Sequence, residues 1–135
     1  MTLKITLQLD ADKRFKLTDG RDINELNPKE LMLYASADCA GRTIVGMLKE
    51  HLASLRVLEL SLEGTLSTPT VVAESRFTSF NIIYRAECQT LNDEAVISRA
   101  ISLTHEKYCG LLQMLRKVAP LSHEVSIVAT NDVKA

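Results

Sequence analysis

The chain has 135 residues, of which 46% are hydrophobic and 24% charged, a composition typical of a globular protein with a core of its own. Sixteen Lys and Arg against seventeen Asp and Glu give a net charge of −1, so no basic surplus favours binding to nucleic acid or anionic lipid. No apolar run reaches the roughly 18 residues that span a membrane, and the start does not resemble a signal peptide, so we expect a single cytoplasmic domain over residues 1–135.

The amino-terminal third predicts two strands and a long helix. Apolar and polar residues alternate from Leu3 to Leu9, and residues 14–18 lead into an Asp-Gly turn, so we expect a β-hairpin. Asn27 is a good helix N-cap, Pro28 suits the first helical position, and Glu30 can close a capping box. Apolar spacing predicts that this helix continues to about residue 53, with Cys39 near its middle.

The remainder predicts a second hairpin, a second helix and a last strand. Apolar and polar residues alternate in residues 56–66, and residues 76–88 are rich in β-branched and aromatic residues. A loop that contains Ser, Thr and Pro lies between the two segments. A helix is expected from an N-cap at Asn92 to about Lys117, because Pro120 blocks its continuation, and Cys109 lies in its second half. A strand over 124–129 completes the order ββαββαβ.

The sequence lacks several common motifs. There is no phosphate-binding Gly-Lys-Ser/Thr loop, Gly-x-Gly-x-x-Gly, His-Glu-x-x-His or Cys-x-x-Cys, which argues against ATP, dinucleotide and structural zinc sites. Gly41 and Gly46, inside a strong helical pattern, are interpreted as small residues that let another helix approach closely.

The three cysteines are the main candidates for chemistry, because cytosolic disulfides are usually transient and catalytic or redox-sensing. Arg42 follows Cys39 by three positions and can favour a thiolate there. In the alternative interpretation, Cys39 is a small buried hydrophobe, and Asp38 and Arg42 form a solvent-facing pair. Cys88, at the end of a predicted strand, is expected to be structural or incidental.

Cys109 follows His105 by four positions, so both are expected on one helical face. The imidazole there can serve as a base, a proton relay or a metal ligand, and a satisfied surface or core histidine is the alternative. His51 and His123 have less claim to a function.

Two segments together resemble the OsmC/Ohr family of osmotically inducible and organic hydroperoxide resistance proteins: Asn27-Pro28-Lys29-Glu30-Leu31 leading to Cys39, and Glu106-Lys107-Tyr108-Cys109. The resemblance covers nearly the whole chain. It implies an α+β fold in which two chains intertwine as a homodimer, with two long central helices packed against antiparallel sheets and active sites at the subunit interface.

The resemblance also implies a thiol-dependent peroxidase that reduces hydroperoxides in oxidative stress defence. Cys39 would attack the peroxide, Cys109 would resolve the product into a disulfide, and an external thiol would restore the pair without a bound cofactor. A non-catalytic dimeric protein that binds a small molecule is the alternative. A metal site using His105 and Cys109 is a more distant one.

The family further pairs an Arg from the amino-terminal strand region with a Glu at the start of the first helix. The matching carboxylate is Glu30, and Arg14 is the first choice for its partner, ahead of Arg21 and of Arg42 from within the helix. Asp38 departs from the Gly or Ala that the family commonly has beside the first cysteine. Its carboxylate disfavours a thiolate there unless Arg42 neutralises it.

Overall fold

Alternation of apolar residues decides which face of the sheet is buried. In a computed structural model, which describes residues 1–130, Leu3, Ile5 and Leu7 lie in the core while the residues between them face outward. The strands are β1 (Thr2–Leu9), β2 (Phe15–Leu17), β3 (Val57–Leu66), β4 (Phe77–Cys88) and β5 (Leu121–Ala129). The α-helices are α1 (Pro28–Leu48), α2 (Leu91–Leu103) and α3 (Gly110–Val118).

The five strands form one sheet in the order β2-β1-β3-β4-β5. Both predicted hairpins are confirmed, since β1 pairs with β2 and β3 pairs with β4 in antiparallel fashion. The α+β class and the order of the elements are also confirmed. The pairing of β4 with β5 is parallel and differs from the expected antiparallel sheets, because the helices between these strands carry the chain back along the sheet.

The helices cover one face of the sheet, and the other face is polar. Alternate residues of β3 and β4, among them Leu60 and Tyr84, are buried beneath α1, α2 and α3. On the opposite face Arg85 forms ion pairs with Glu59 and Glu87. This division follows the two-residue period of the strands.

The capping box at the start of α1 is confirmed. The side chain of Asn27 accepts from the Glu30 amide at 2.8 Å, and Glu30 Oε1 accepts from the Asn27 amide at 3.0 Å. The helix ends at Leu48, earlier than expected, because Lys49 has a φ of 38° and a 3₁₀ segment follows over Lys49–Ser54. No helix within residues 1–130 is long and apolar enough to cross a membrane.

The second helix is not continuous, so the prediction of one helix from Asn92 to Lys117 is wrong. Thr90 caps α2, and five residues in π-helical conformation, Thr104–Tyr108, follow its end; we call these residues the π-turn. Cys109 then has an extended conformation, with φ −85° and ψ 102°, and α3 begins at Gly110.

Gly41 is a contact point for the sheet rather than for a second helix, which corrects its interpretation. A Cβ atom at this position would lie 2.5 Å from Cζ of Phe15, whose ring is buried. The absence of a side chain therefore lets β2 lie close to α1.

We expect Gly41→Ala to destabilise the protein by about 1–3 kcal/mol, because the added methyl group must displace the Phe15 ring. Urea unfolding measures the change. In a Phe15→Leu background, where the side chain is shorter, the same substitution should cost clearly less. An equal cost in both backgrounds would contradict the assignment of the clash to Phe15.

Candidate functional site

Cys39 and Cys109 lie 70 residues apart in the sequence and are in contact in the structure. Cys39 is on α1, and Cys109 lies between the π-turn and α3, where its thiol donates to the sulfur of Cys39 at 3.1 Å. Both are free thiols. The two sulfurs are therefore close enough to form a disulfide after only a small movement.

The two thiols have different environments. Cys109 is fully buried, and burial, followed by its contact with Cys39, raises its pKa to about 12. The amides of Leu111 and Leu112 at the start of α3 favour its thiolate, but burial outweighs them. Cys39 is only partly buried, so it is the sulfur of the pair that a molecule from solvent reaches first.

Cys88 lies outside this pair. It is buried at the end of β4, where its thiol contacts the carbonyl oxygen of Val128 on β5 at 3.7 Å. Cys88 is thus a buried residue of the core, which agrees with a structural role.

Asp38 and Arg42 form the expected pair across one turn of α1. Arg42 Nε lies 2.8 Å from Asp38 Oδ2, and the Arg42 side chain is largely exposed. The guanidinium therefore balances the charge of the carboxylate that directly precedes Cys39 in the sequence.

The carboxylate of Glu30 pairs with Arg21, not with Arg14. Arg21 Nη1 lies 2.8 Å from Glu30 Oε2, and its Nε contacts Asp19 at 2.8 Å. Burial alone would raise the pKa of Glu30, but hydrogen bonds from Arg21 and from the Asn27 amide outweigh it and hold that pKa below its usual value. The expected pairing of Arg14 with Glu30 is wrong, because the Asp19-Gly20 turn brings Arg21 to the start of α1.

Arg14 lies in the turn between β1 and β2, where it lines a cavity of about 470 Å³ between this turn and α1. Tyr34, Asp38 and Arg42 line the helix side of this cavity, and Lys13 and Phe15 line the other. Arg14 and Arg42 thus border the same cavity as Asp38, which directly precedes Cys39 in the sequence.

The Arg21–Glu30 pair is distant from Cys39 within one chain. Glu30 and Cys39 are nine residues apart on α1, which corresponds to a separation of about 13 Å along the helix axis. About two and a half helical turns thus separate the two residues on one chain. The structure therefore brings the two cysteines together, but does not bring the Arg–Glu pair to them.

An apolar groove lies between the second half of α1 and α2, next to the end of the π-turn. Its volume is about 460 Å³, and Tyr108, which directly precedes Cys109, forms part of its wall. The other apolar lining residues are Gly46, Met47, Val96, Ala100 and Leu103, and Lys49 and Arg99 add two cations.

His105 and Cys109 do not share a helical face, because the π-turn separates them. His105 points into the core, where its Nδ1 lies 2.9 Å from the hydroxyl of Tyr84, and its ring packs against His123 with a centroid distance of 4.1 Å. Within residues 1–130 no group of three or more His, Cys, Asp and Glu side chains is arranged to hold a metal ion.

Sequence reasoning missed Tyr84 as a neighbour of this site. One signal was present, since a tyrosine on the buried face of a strand needs a partner for its hydroxyl. The sequence did not indicate that this partner is His105.

We expect His105 to make stability depend on pH. Burial, then the charges of His123 and Arg116, lower its pKa from 6.5 to about 4. Between these values the unfolded chain binds more protons than the folded one, so stability falls as pH falls through this window, by up to about 3 kcal/mol. Urea unfolding across the window measures it.

His105→Asn is the matched variant, because asparagine does not titrate and places an oxygen near the position of Nδ1. The groups that face the imidazole, Tyr84, Arg116 and His123, stay in place. The difference in stability between the two proteins should shrink as pH falls. Parallel profiles would contradict the assignment to His105.

Comparisons with known proteins agree with this architecture. A family model described as OsmC-like protein matches residues 19–124. Protein YhfA of Escherichia coli (strain K12) is 30% identical over 114 residues, which cover 84% of this chain and 82% of YhfA.

Two solved structures show the same fold. A hypothetical protein from Aquifex aeolicus VF5 has a TM-score of 0.62 at 24% identity, and the match covers 94% of this chain and 97% of the other. An OsmC-like protein from Mycoplasma pneumoniae has a TM-score of 0.59 at 16% identity, with 95% and 96% covered.

Proposed function

Since the chain belongs to the OsmC-like protein family, we propose that it is a thiol-dependent peroxidase that reduces organic hydroperoxides through Cys39 and Cys109, in defence against oxidative stress. Membership of the family supports a redox role at the family level. The observation that carries the finer proposal is the 3.1 Å contact between the two sulfurs.

The chemistry has three steps that balance. The thiolate of Cys39 attacks one oxygen of the hydroperoxide, the O–O bond breaks, and the alcohol leaves after taking up a proton, which leaves a sulfenic acid. The sulfur of Cys109 then bonds to the sulfur of Cys39, and water leaves with the hydroxyl group and the thiol proton. An external dithiol donates two electrons and two protons to restore both thiols.

The difference between the two environments supports these roles. Cys39 is the more accessible sulfur, whereas burial keeps Cys109 protonated with a pKa of about 12. A protonated thiol is a weak nucleophile toward peroxide, and the thiolate is the reactive form. The first attack is therefore assigned to Cys39, and Cys109 acts after Cys39 has been oxidised.

The apolar groove supports an organic substrate over hydrogen peroxide. Its walls include Tyr108, which precedes Cys109, and Met47, whose sulfur contacts Thr104 of the π-turn at 3.9 Å. The alkyl or aryl group of an organic hydroperoxide would gain free energy by burying its apolar surface in this groove. Hydrogen peroxide has no apolar group that could be buried there. Lys49 and Arg99 at the groove would tolerate a polar end of the substrate.

A homodimer completes this proposal. Glu30 and Cys39 of one chain are about 13 Å apart along α1, so a second copy must supply the Arg21–Glu30 pair if both groups serve one peroxide. The surface has apolar side chains available for a dimer contact on three elements. They are Leu31 and Met32 on α1, Met114 and Val118 on α3, and Val125 and Val128 on β5.

We expect Cys39→Ser to reduce peroxide consumption to the uncatalysed rate, because serine does not form the attacking thiolate. Consumption of cumene hydroperoxide with a dithiol reductant measures the activity. With peroxide but no reductant, Cys109→Ser should consume about one peroxide per site and then stop at the sulfenic acid, because no second thiol of the protein condenses with it.

Cys88→Ser is the matched control and should keep full activity, because Cys88 lies outside the pair. Mass spectrometry after one equivalent of peroxide should find a disulfide between Cys39 and Cys109 in this control. Equal rates for the wild type and Cys39→Ser would remove Cys39 from the mechanism.

We expect subunit complementation if Glu30 of one chain serves Cys39 of the other. Glu30→Gln and Cys39→Ser proteins should each be nearly inactive alone. Their co-expression should restore about a quarter of the wild-type activity, because half of the dimers are mixed and each mixed dimer has one intact site. Activity equal to the sum of the single variants would contradict a shared site.

A non-catalytic dimeric binding protein is the second candidate. The cavity of about 470 Å³ beside Asp38 and Arg42 favours it, because its charged lining suits a small polar ligand. Cys39 that stays unmodified after peroxide treatment, together with a bound metabolite in native mass spectrometry, would support this candidate over the peroxidase.

A further inference from the structure

The π-turn has a hydrogen-bond register of its own. In an uninterrupted α-helix the amide of Cys109 would donate to the carbonyl of His105, four residues earlier. Here that amide donates to Thr104 at 3.0 Å. The His105 carbonyl accepts instead from the side chains of Gln113 at 3.2 Å and Arg116 at 2.7 Å, both on α3.

The side chain of His105 is fixed from the side of the sheet. Tyr84 is fully buried on β4, and burial raises its pKa, so its hydroxyl keeps the proton and forms a hydrogen bond with Nδ1 of His105 at 2.9 Å. His123 of β5 packs against the imidazole. His105 therefore cannot turn outward without leaving the buried Tyr84 hydroxyl unpaired, which is costly.

The register determines where Cys109 points. The α-helical and π-helical arrangements keep backbone hydrogen bonds and differ by a shift of one residue in their acceptors, which for the Cys109 amide is Thr104 instead of His105. A shift of one residue corresponds to a rotation of about 100° around a helix axis, which would direct the Cys109 sulfur away from Cys39. Because the two arrangements differ so little in backbone bonds, one buried side-chain bond can decide between them.

We propose that Tyr84 and His105 are positioning residues for the resolving step, and that their hydrogen bond holds the π-turn in the register that aims Cys109 at Cys39. This inference rests on the proposed peroxidase function. In the resolving step the Cys109 sulfur bonds to the sulfur of the Cys39 sulfenic acid, and the hydroxyl group leaves with the thiol proton as water. Neither Tyr84 nor His105 contacts the peroxide.

The first test is Tyr84→Phe, which removes only the hydroxyl. Quenched-flow mass spectrometry follows the two steps separately: formation of the Cys39 sulfenic acid, measured in a Cys109→Ser background, and closure of the disulfide. We expect closure to slow by about tenfold, as for the loss of one buried hydrogen bond, with sulfenic acid formation unchanged.

The second test compares two changes at His105. His105→Asn keeps an acceptor for Tyr84 and should close the disulfide at a rate near that of the wild type. His105→Leu lacks the acceptor and should slow closure as Tyr84→Phe does. Combining His105→Leu with Tyr84→Phe should add little, because both remove the same bond.

His51 provides the matched control. Its Nδ1 lies 3.1 Å from Asp93 near the start of α2, so His51→Leu removes a similar imidazole contact far from the cysteines. This variant should leave the ratio of the two rates unchanged. Unchanged closure in Tyr84→Phe, or an equal slowing of both steps, would overturn the positioning role.

Diamide separates this inference from the peroxidase itself. It oxidises thiol pairs without peroxide, because one thiolate adds to its N=N bond and the second thiol then displaces the hydrazine. If the wild type does not consume peroxide, slower closure with diamide in Tyr84→Phe still supports the positioning role. Closure at the wild-type rate in that experiment overturns it.

Discussion

The contact between Cys39 and Cys109 requires the second helical segment to leave the α-helical path before it reaches α1. The π-turn does this, and it leaves carbonyl groups that an α-helix would have satisfied. The side chains of Arg116 and Gln113 donate hydrogen bonds to the carbonyl of His105. The buried hydroxyl of Tyr84 forms a hydrogen bond with the imidazole of His105. The polar groups around the break thus satisfy one another, which is why a non-helical Cys109 can be stable inside the core.

The same break gives the two thiols unequal access to solvent. Cys109 is enclosed between α1 and the start of α3, whereas Cys39 lies on a helix surface next to an ion pair. Enclosure keeps Cys109 uncharged, and it leaves Cys39 as the sulfur of the pair that solvent reaches. In the proposed peroxidase reaction, the order of the two steps would follow from burial rather than from any difference between the side chains themselves.

Local signals predicted the elements well and the site only in part. The capping box at Asn27 and the alternation in β1 depend on neighbouring residues, so the sequence contains them in full. The break before Cys109 is surrounded by contacts from Tyr84 on β4 and Arg116 on α3, and no Pro or Gly lies within Thr104–Tyr108 to indicate it.

The choice of arginine shows the same limit. Arg14 and Arg21 flank the short strand β2, and nothing in their spacing tells which of them faces the start of α1. The Asp19-Gly20 turn decides this, because Gly20 has a φ of 80° and the chain reverses there. Predicting a pairing of this kind requires the path of the turn, which residue types alone do not give.

The two carboxylate oxygens of Glu30 make different contacts. Oε1 caps α1 through Asn27, and Oε2 binds Arg21. Under the proposed peroxidase function, folding and catalysis would both constrain Glu30, whereas Arg21 caps no helix and would be constrained mainly by catalysis. A descendant that lost its peroxide chemistry would still retain the glutamate for its helix, while the arginine would be free to drift. Among descendants of this chain, the arginine would be the better marker of retained activity.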